Sequence, residues 1–157
     1  MDNYLENLTQ KRMYITGGIG PTHHNEGFTF DYDLPNETAY AETCASIALA
    51  NWAHRMFHLE PNSEYIDVLE RVIYNGILSG LNLKGDRFFY SNRLAALPKE
   101  IEANPHGFNL ERQSWFDVSC CPTNIVRFLP SIPGFIYSMN KTGVSINLYI
   151  QSKVVVD

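Results

Sequence analysis

One stretch constrains the fold more than any other: CASIALANWAHRMFHL, from Cys44 to Leu59. Apolar side chains recur around most of its surface, so as a helix it must be covered by other elements. It is also the longest mostly apolar run, and it is far too short to span a bilayer. A chain organised on such a helix needs further packed elements. The composition can supply them, since 45% of residues are hydrophobic and 18% are charged. A length of 157 residues fits one ordinary domain or a piece of something larger.

The covering elements are legible in part. A second helix is expected from Glu64 to Leu78. Asn62 or Ser63 would cap it, Glu64 and Asp67 suit its positive end, and Gly80 would stop it. Leu81 to Asn92 reads as a hairpin turning at Lys84-Gly85-Asp86, and Arg93 to Gln113 as a polar connection. Pro122 suits the first position of a helix PTNIVRFL that Pro130 stops. After Gly134 the period changes. Val144, Ile146, Leu148 and Ile150 alternate with Ser145, Asn147 and Tyr149, the pattern of a half-buried strand, and a turn at Asn140 to Gly143 precedes them. Helices first and strands last predict that an all-β unit begins where the chain stops.

Several function classes are excluded. A net charge of −5 with no clustered Lys or Arg argues against a nucleic-acid or anionic-membrane surface. The polar opening MDNYLENLTQKR lacks the basic start and apolar core of a secretory signal, so the chain is read as soluble and cytoplasmic. TGGIGP from Thr16 to Pro21 has neither G-x-G-x-x-G nor G-K-[ST] and reads as a plain turn. Asp31 and Asp33 resemble the start of a calcium loop but lack its glycine and distal Glu.

The three cysteines remain. An odd number disfavours a disulfide framework, adjacent cysteines pair poorly, and no C-x-x-C is present. Glu42 and Cys44 in YAETCAS are two apart on chain entering a helix, so both side chains point one way. With Cys120 and Cys121 of CCPTN they make one carboxylate and three thiolates, a tetrahedral set suited to zinc. Both thiol groups lie at expected helix N-termini, whose partial positive charge favours thiolates. The competing reading is three cysteines used as small buried hydrophobes. Two other metal clusters are weaker. His54 and His58 are i,i+4 without H-E-x-x-H, and His23-His24 beside Glu26 reads as loop polarity.

YITGGIG, EGFTF, DYDLPNETAYAETCAS, ERVIYNGILSG, RFFY and CCPTNIVRFLPSI together resemble glycoside hydrolase family 127, which contains the β-L-arabinofuranosidases. The resemblance runs from Tyr14 to Ile150 and is specific in AETCAS and CCP-N. It implies a mainly α fold with a β tail: residues 1–132 as the C-terminal part of a six-hairpin α/α barrel, and 133–157 as the first strands of a β-sandwich. It implies Zn²⁺ held by Glu42, Cys44, Cys120 and Cys121, with Cys120 as nucleophile and Glu26 as general acid/base. The substrate implied is an arabinofuranoside-containing glycan, hydrolysed with retention. Because the family's proteins are much longer, the chain is expected to be a fragment with little activity alone, self-associating through uncovered barrel faces. Two alternatives stand beside this: a non-catalytic zinc-stabilised module that binds a partner chain, and a thiol redox protein.

Overall fold

The computed structural model describes residues 2–96, 111–141 and 143–155. The helix that opened the sequence argument forms as α2, Thr43–Leu59, and it is the centre of the molecule. Ile47, Leu49, Ala50, Ala53, Met56 and Phe57 are buried along it. It packs against α3 (Ser63–Arg71), the wider turn that follows α3, and α4 (Cys120–Phe128). Asn62 caps α3, its side chain accepting from the Glu64 backbone N–H at 3.0 Å.

The chain departs from the expected elements in several places. The opening residues form a helix, α1 (Asp2–Lys11), whose Leu5 and Leu8 reach the core. Two apolar residues one turn apart suffice to dock it, a signal too thin to read in a polar segment. The second helix does not run unbroken to Leu78. Beyond Arg71 it widens into a π-helical turn, Val72–Ile77, then tightens into a 3₁₀ turn, Leu78–Gly80. Leu81 to Asn92 does turn back at Gly85, but its arms make an isolated bridge, Leu81 to Phe88, rather than strands, and Phe88 also pairs with Gln113. α4 begins at Cys120, so Pro122 is its third residue, still within the turn whose N–H groups need no helical partner. Finally, Pro133–Ile136 is a helical turn, α5, where extended chain was expected.

The β tail follows α5. β1 (Tyr137–Asn140) and β2 (Gly143–Ile146) pair antiparallel, Tyr137 opposite Ile146 and Asn140 opposite Gly143. The expected alternation of buried and exposed residues is not realised in β2, where Val144 and Ile146 are exposed. Only beyond it does the chain turn inward, burying Asn147 and Leu148 together as both backbone N–H groups reach the Ile136 carbonyl. Part of the expected connection, residues 97–110, lies outside the described residues. Among the described residues no helix is long and apolar enough to cross a membrane.

Candidate metal centre and active site

Glu42 sits at the N-cap of α2 in extended conformation, with Cys44 one step inside the helix. Cys120 and Cys121 are the first two residues of α4. Packing of α2 on α4 therefore sets two helix N-termini against each other. The segment that holds Glu42 is clamped from the other side. The Thr43 backbone N–H donates to the Tyr90 carbonyl at 3.0 Å, and its hydroxyl donates to the Phe89 carbonyl at 2.9 Å. Asn92 donates through Nδ2 to the Ala41 carbonyl and to Thr43 Oγ1 at 3.1 and 3.0 Å. Ala41 itself is held at φ +39°, a strained conformation for a residue with a Cβ, immediately before the cluster.

The four sequence-predicted ligands meet. Their donor atoms all lie within 4.8 Å of one another. Glu42 Oε1 is 3.4 Å from Cys120 Sγ and 3.6 Å from Cys121 Sγ, while Cys121 Sγ is 3.5 Å from Cys44 Sγ and 3.8 Å from Cys120 Sγ. A tetrahedron with bonds of about 2.3 Å to sulfur and about 2.1 Å to oxygen has S···S edges of roughly 3.8 Å and S···O edges of roughly 3.6 Å. The four spacings given come within about 0.3 Å of those edges, and the donors have the chemistry of a thiophilic dication site.

Electrostatics points the same way. Glu42 is buried, yet among the described residues no lysine, arginine or histidine forms an ion pair with it. Hydrogen bonding with Cys121 holds the Cys44 thiol below its ordinary value, helped by Asn124, whose Nδ2 donates to Cys44 Sγ at 3.0 Å. Its neighbours move the other way. Cys121 is pushed far up, first by its hydrogen bond with Cys44 and then by burial, and burial raises Cys120. A cation among them would compensate the charge of thiolates and a carboxylate gathered in so small a volume.

Glu26 lies apart from the cluster, exposed, at the tip of a tight loop closed by the Thr22–Gly27 bridge. Asn25 and Glu26 both adopt left-handed backbone there, φ +61° and +48°. Tyr40 donates to Glu26 Oε1 at 3.2 Å, and Tyr90 lies against Cys120, hydroxyl to sulfur 3.0 Å. Burial holds both phenols above their ordinary range, so both remain protonated at neutral pH. Sequence reasoning missed Tyr40, Tyr90, Asn92 and Asn124. Asn124 carried a faint signal, standing one helical turn beyond the cysteine pair, but nothing distinguishes two tyrosines among nine. The other histidine candidates do not join this centre. His54 and His58 face each other along α2, with Nε2 atoms 3.1 Å apart, and the half-buried His54 packs on Phe135.

The family model for the β-L-arabinofuranosidase GH127 catalytic domain matches residues 1–134. The chain belongs to this family. Over 145 residues it is 43% identical to the non-reducing end β-L-arabinofuranosidase of Bifidobacterium longum subsp. longum, a match covering 91% of the chain and 22% of that protein. The crystal structure of a GH127 β-L-arabinofuranosidase from Geobacillus stearothermophilus T6 superposes with a TM-score of 0.87 at 49% identity, covering 92% of the chain and 23% of the other. A second GH127 β-arabinofuranosidase gives 0.82 at 44% identity, covering 92% and 21%. The chain thus spans about a fifth of the length of the relatives it matches. Its helices and two-stranded tail are consistent with a piece of the GH127 fold.

Proposed function

We propose that this chain carries the catalytic centre of a zinc-dependent retaining glycosidase that releases β-L-arabinofuranose from glycans, and that it acts within a longer protein. The observation that carries the reading is the Glu42, Cys44, Cys120, Cys121 cluster, set at two facing helix N-termini in a GH127 sequence. The same reading makes residues 1–132 part of an α/α barrel and 133–157 the start of a sandwich, supported by the passage from helix to paired strands after Ile136.

The three thiolates and Glu42 would hold the zinc ion, which when bound supplies positive charge that stabilises them as anions near pH 7. Within that set the residues divide the work. Cys121 is buried and anchors; Cys44 and Cys120 are both half-buried, and of these two the family resemblance gives Cys120 the nucleophile's part. Cys120 Sγ attacks the anomeric carbon, forming a carbon–sulfur bond as the bond to the leaving oxygen breaks. Glu26 delivers a proton to that oxygen, then takes one from the water that displaces sulfur. Two displacements at one carbon retain its configuration.

A β-L-arabinofuranosyl haloacetamide tests the assignment on the full-length zinc-loaded protein. Peptide mapping is expected to find the label on Cys120, and Cys120→Ser is expected to lower turnover by several orders of magnitude. Label on Cys121, or near-normal turnover by the serine variant, overturns the nucleophile. Absence of turnover on any furanoside by the wild-type, zinc-loaded protein would leave the non-catalytic module as the better reading.

A further inference from the structure

The two groups that the proposed mechanism uses are each held by a buried tyrosine, and those tyrosines pack together. Tyr40 and Tyr90 are both buried, with ring centroids 6.2 Å apart. Tyr90 places its hydroxyl 3.0 Å from Cys120 Sγ, and Tyr40 donates to Glu26 Oε1 at 3.2 Å. Glu26 needs such a restraint, because it is exposed on a loop tip in left-handed backbone, and the Tyr40 phenol holds its side chain. We propose that Tyr40 is a positioning residue that sets the Glu26 carboxyl for proton transfer and ties it, through its packing on Tyr90, to the nucleophile's side of the site. The inference rests on the acid/base role given to Glu26 above.

The chemistry follows from which oxygen is occupied. A phenol donor on Oε1 makes that atom the acceptor, so the transferable proton of the protonated acid resides on Oε2. Oε2 is then free to turn toward the leaving oxygen, and after proton transfer the same donor steadies the carboxylate that must collect a proton from water. Tyr40 itself gains and loses no proton. Its backbone lies two residues before Glu42, so the segment that fixes the cluster also fixes the phenol.

Tyr40→Phe in the full-length, zinc-loaded protein removes only the hydroxyl. Its kcat/KM is expected to fall roughly ten- to a hundredfold on an alkyl β-L-arabinofuranoside and by less than about threefold on a dinitrophenyl one, since only the former needs protonation to leave. Zinc content and Tm are expected to match the wild type. Introduced into Glu26→Gln, the change is expected to cost nothing further, because it acts through that carboxyl. An equal fall for both leaving groups, or additive losses in the double variant, overturns the positioning role while leaving the acid/base role intact. If Glu26→Gln shows no leaving-group dependence, the acid/base reading is wrong and this proposal falls with it.

Discussion

At the scale of single residues, the cluster was legible because cysteine is scarce here. Three thiols in 157 residues, two adjacent and all near expected helix starts, leave few uses other than a shared site. The residues around them were not legible, because their partners are remote. Asn92 reaches Ala41 across 51 positions, and Asn124 reaches Cys44 across 80. No local pattern encodes such a contact. Asn124 makes the distinction measurable. Its amide orients and steadies Cys44, so Asn124→Ala is expected to weaken zinc binding by about ten- to a hundredfold, the usual cost of losing a group that supports a ligand. Cys44→Ala removes the ligand itself and is expected to lower both zinc occupancy and Tm more severely. Competition with a chromophoric chelator ranks the two; equal occupancy in all three proteins would contradict the arrangement.

Elements were legible where periodicity was long, as in α2, and illegible where packing overrode it. The π-helical turn after α3 is such a place. Gly76 lies there against Ser46 of α2, and an added Cβ would stand 3.2 Å from its hydroxyl, a close approach that periodicity does not announce. Gly17 presses on the same turn. A Cβ at Gly17 would lie 2.8 Å from Val72 Cγ2 and 3.0 Å from its Cα, and its φ of +85° suits glycine. Gly17→Ala is therefore expected to destabilise by about 1–3 kcal/mol in denaturant unfolding. The half-buried His54 of α2, packed on Phe135, gives a pH prediction. Burial, then the neighbouring His58, lowers the His54 pKa below its ordinary value. The unfolded chain consequently binds this proton more readily. The contribution of neutral His54 is complete above its unfolded pKa of about 6.5 and is lost as pH falls from there toward the folded value. Unfolding midpoints measured from pH 7.5 to 5 are expected to fall, and His54→Gln to flatten that slope.

For the whole molecule, the change from helix to strand was legible, whereas the proposed barrel lies beyond what the chain displays, since it spans about a fifth of the relatives it matches. Its exposed apolar residues, Ile15, Phe30, Tyr32 and Trp115 among them, are many for a small domain. The isolated 157-residue chain is expected to self-associate in sedimentation and to hydrolyse aryl arabinofuranosides barely at all, whereas a compact monomer would mark it as self-sufficient. Metal binding bears on the same question. Cys44 and Cys121 stand 77 positions apart, so one ion on both closes a long loop and pins α2 to α4 where they begin. Such closure is entropically costly in the unfolded chain, and an ion that binds only the folded form stabilises it by mass action, about 4 kcal/mol at a thousandfold excess over Kd. Chelation is therefore expected to lower Tm by several degrees or more and to raise self-association, with both effects reversed by added zinc and not by magnesium, which disfavours thiolates. An unchanged Tm after verified metal removal would mean that α2 and α4 hold together by apolar packing alone.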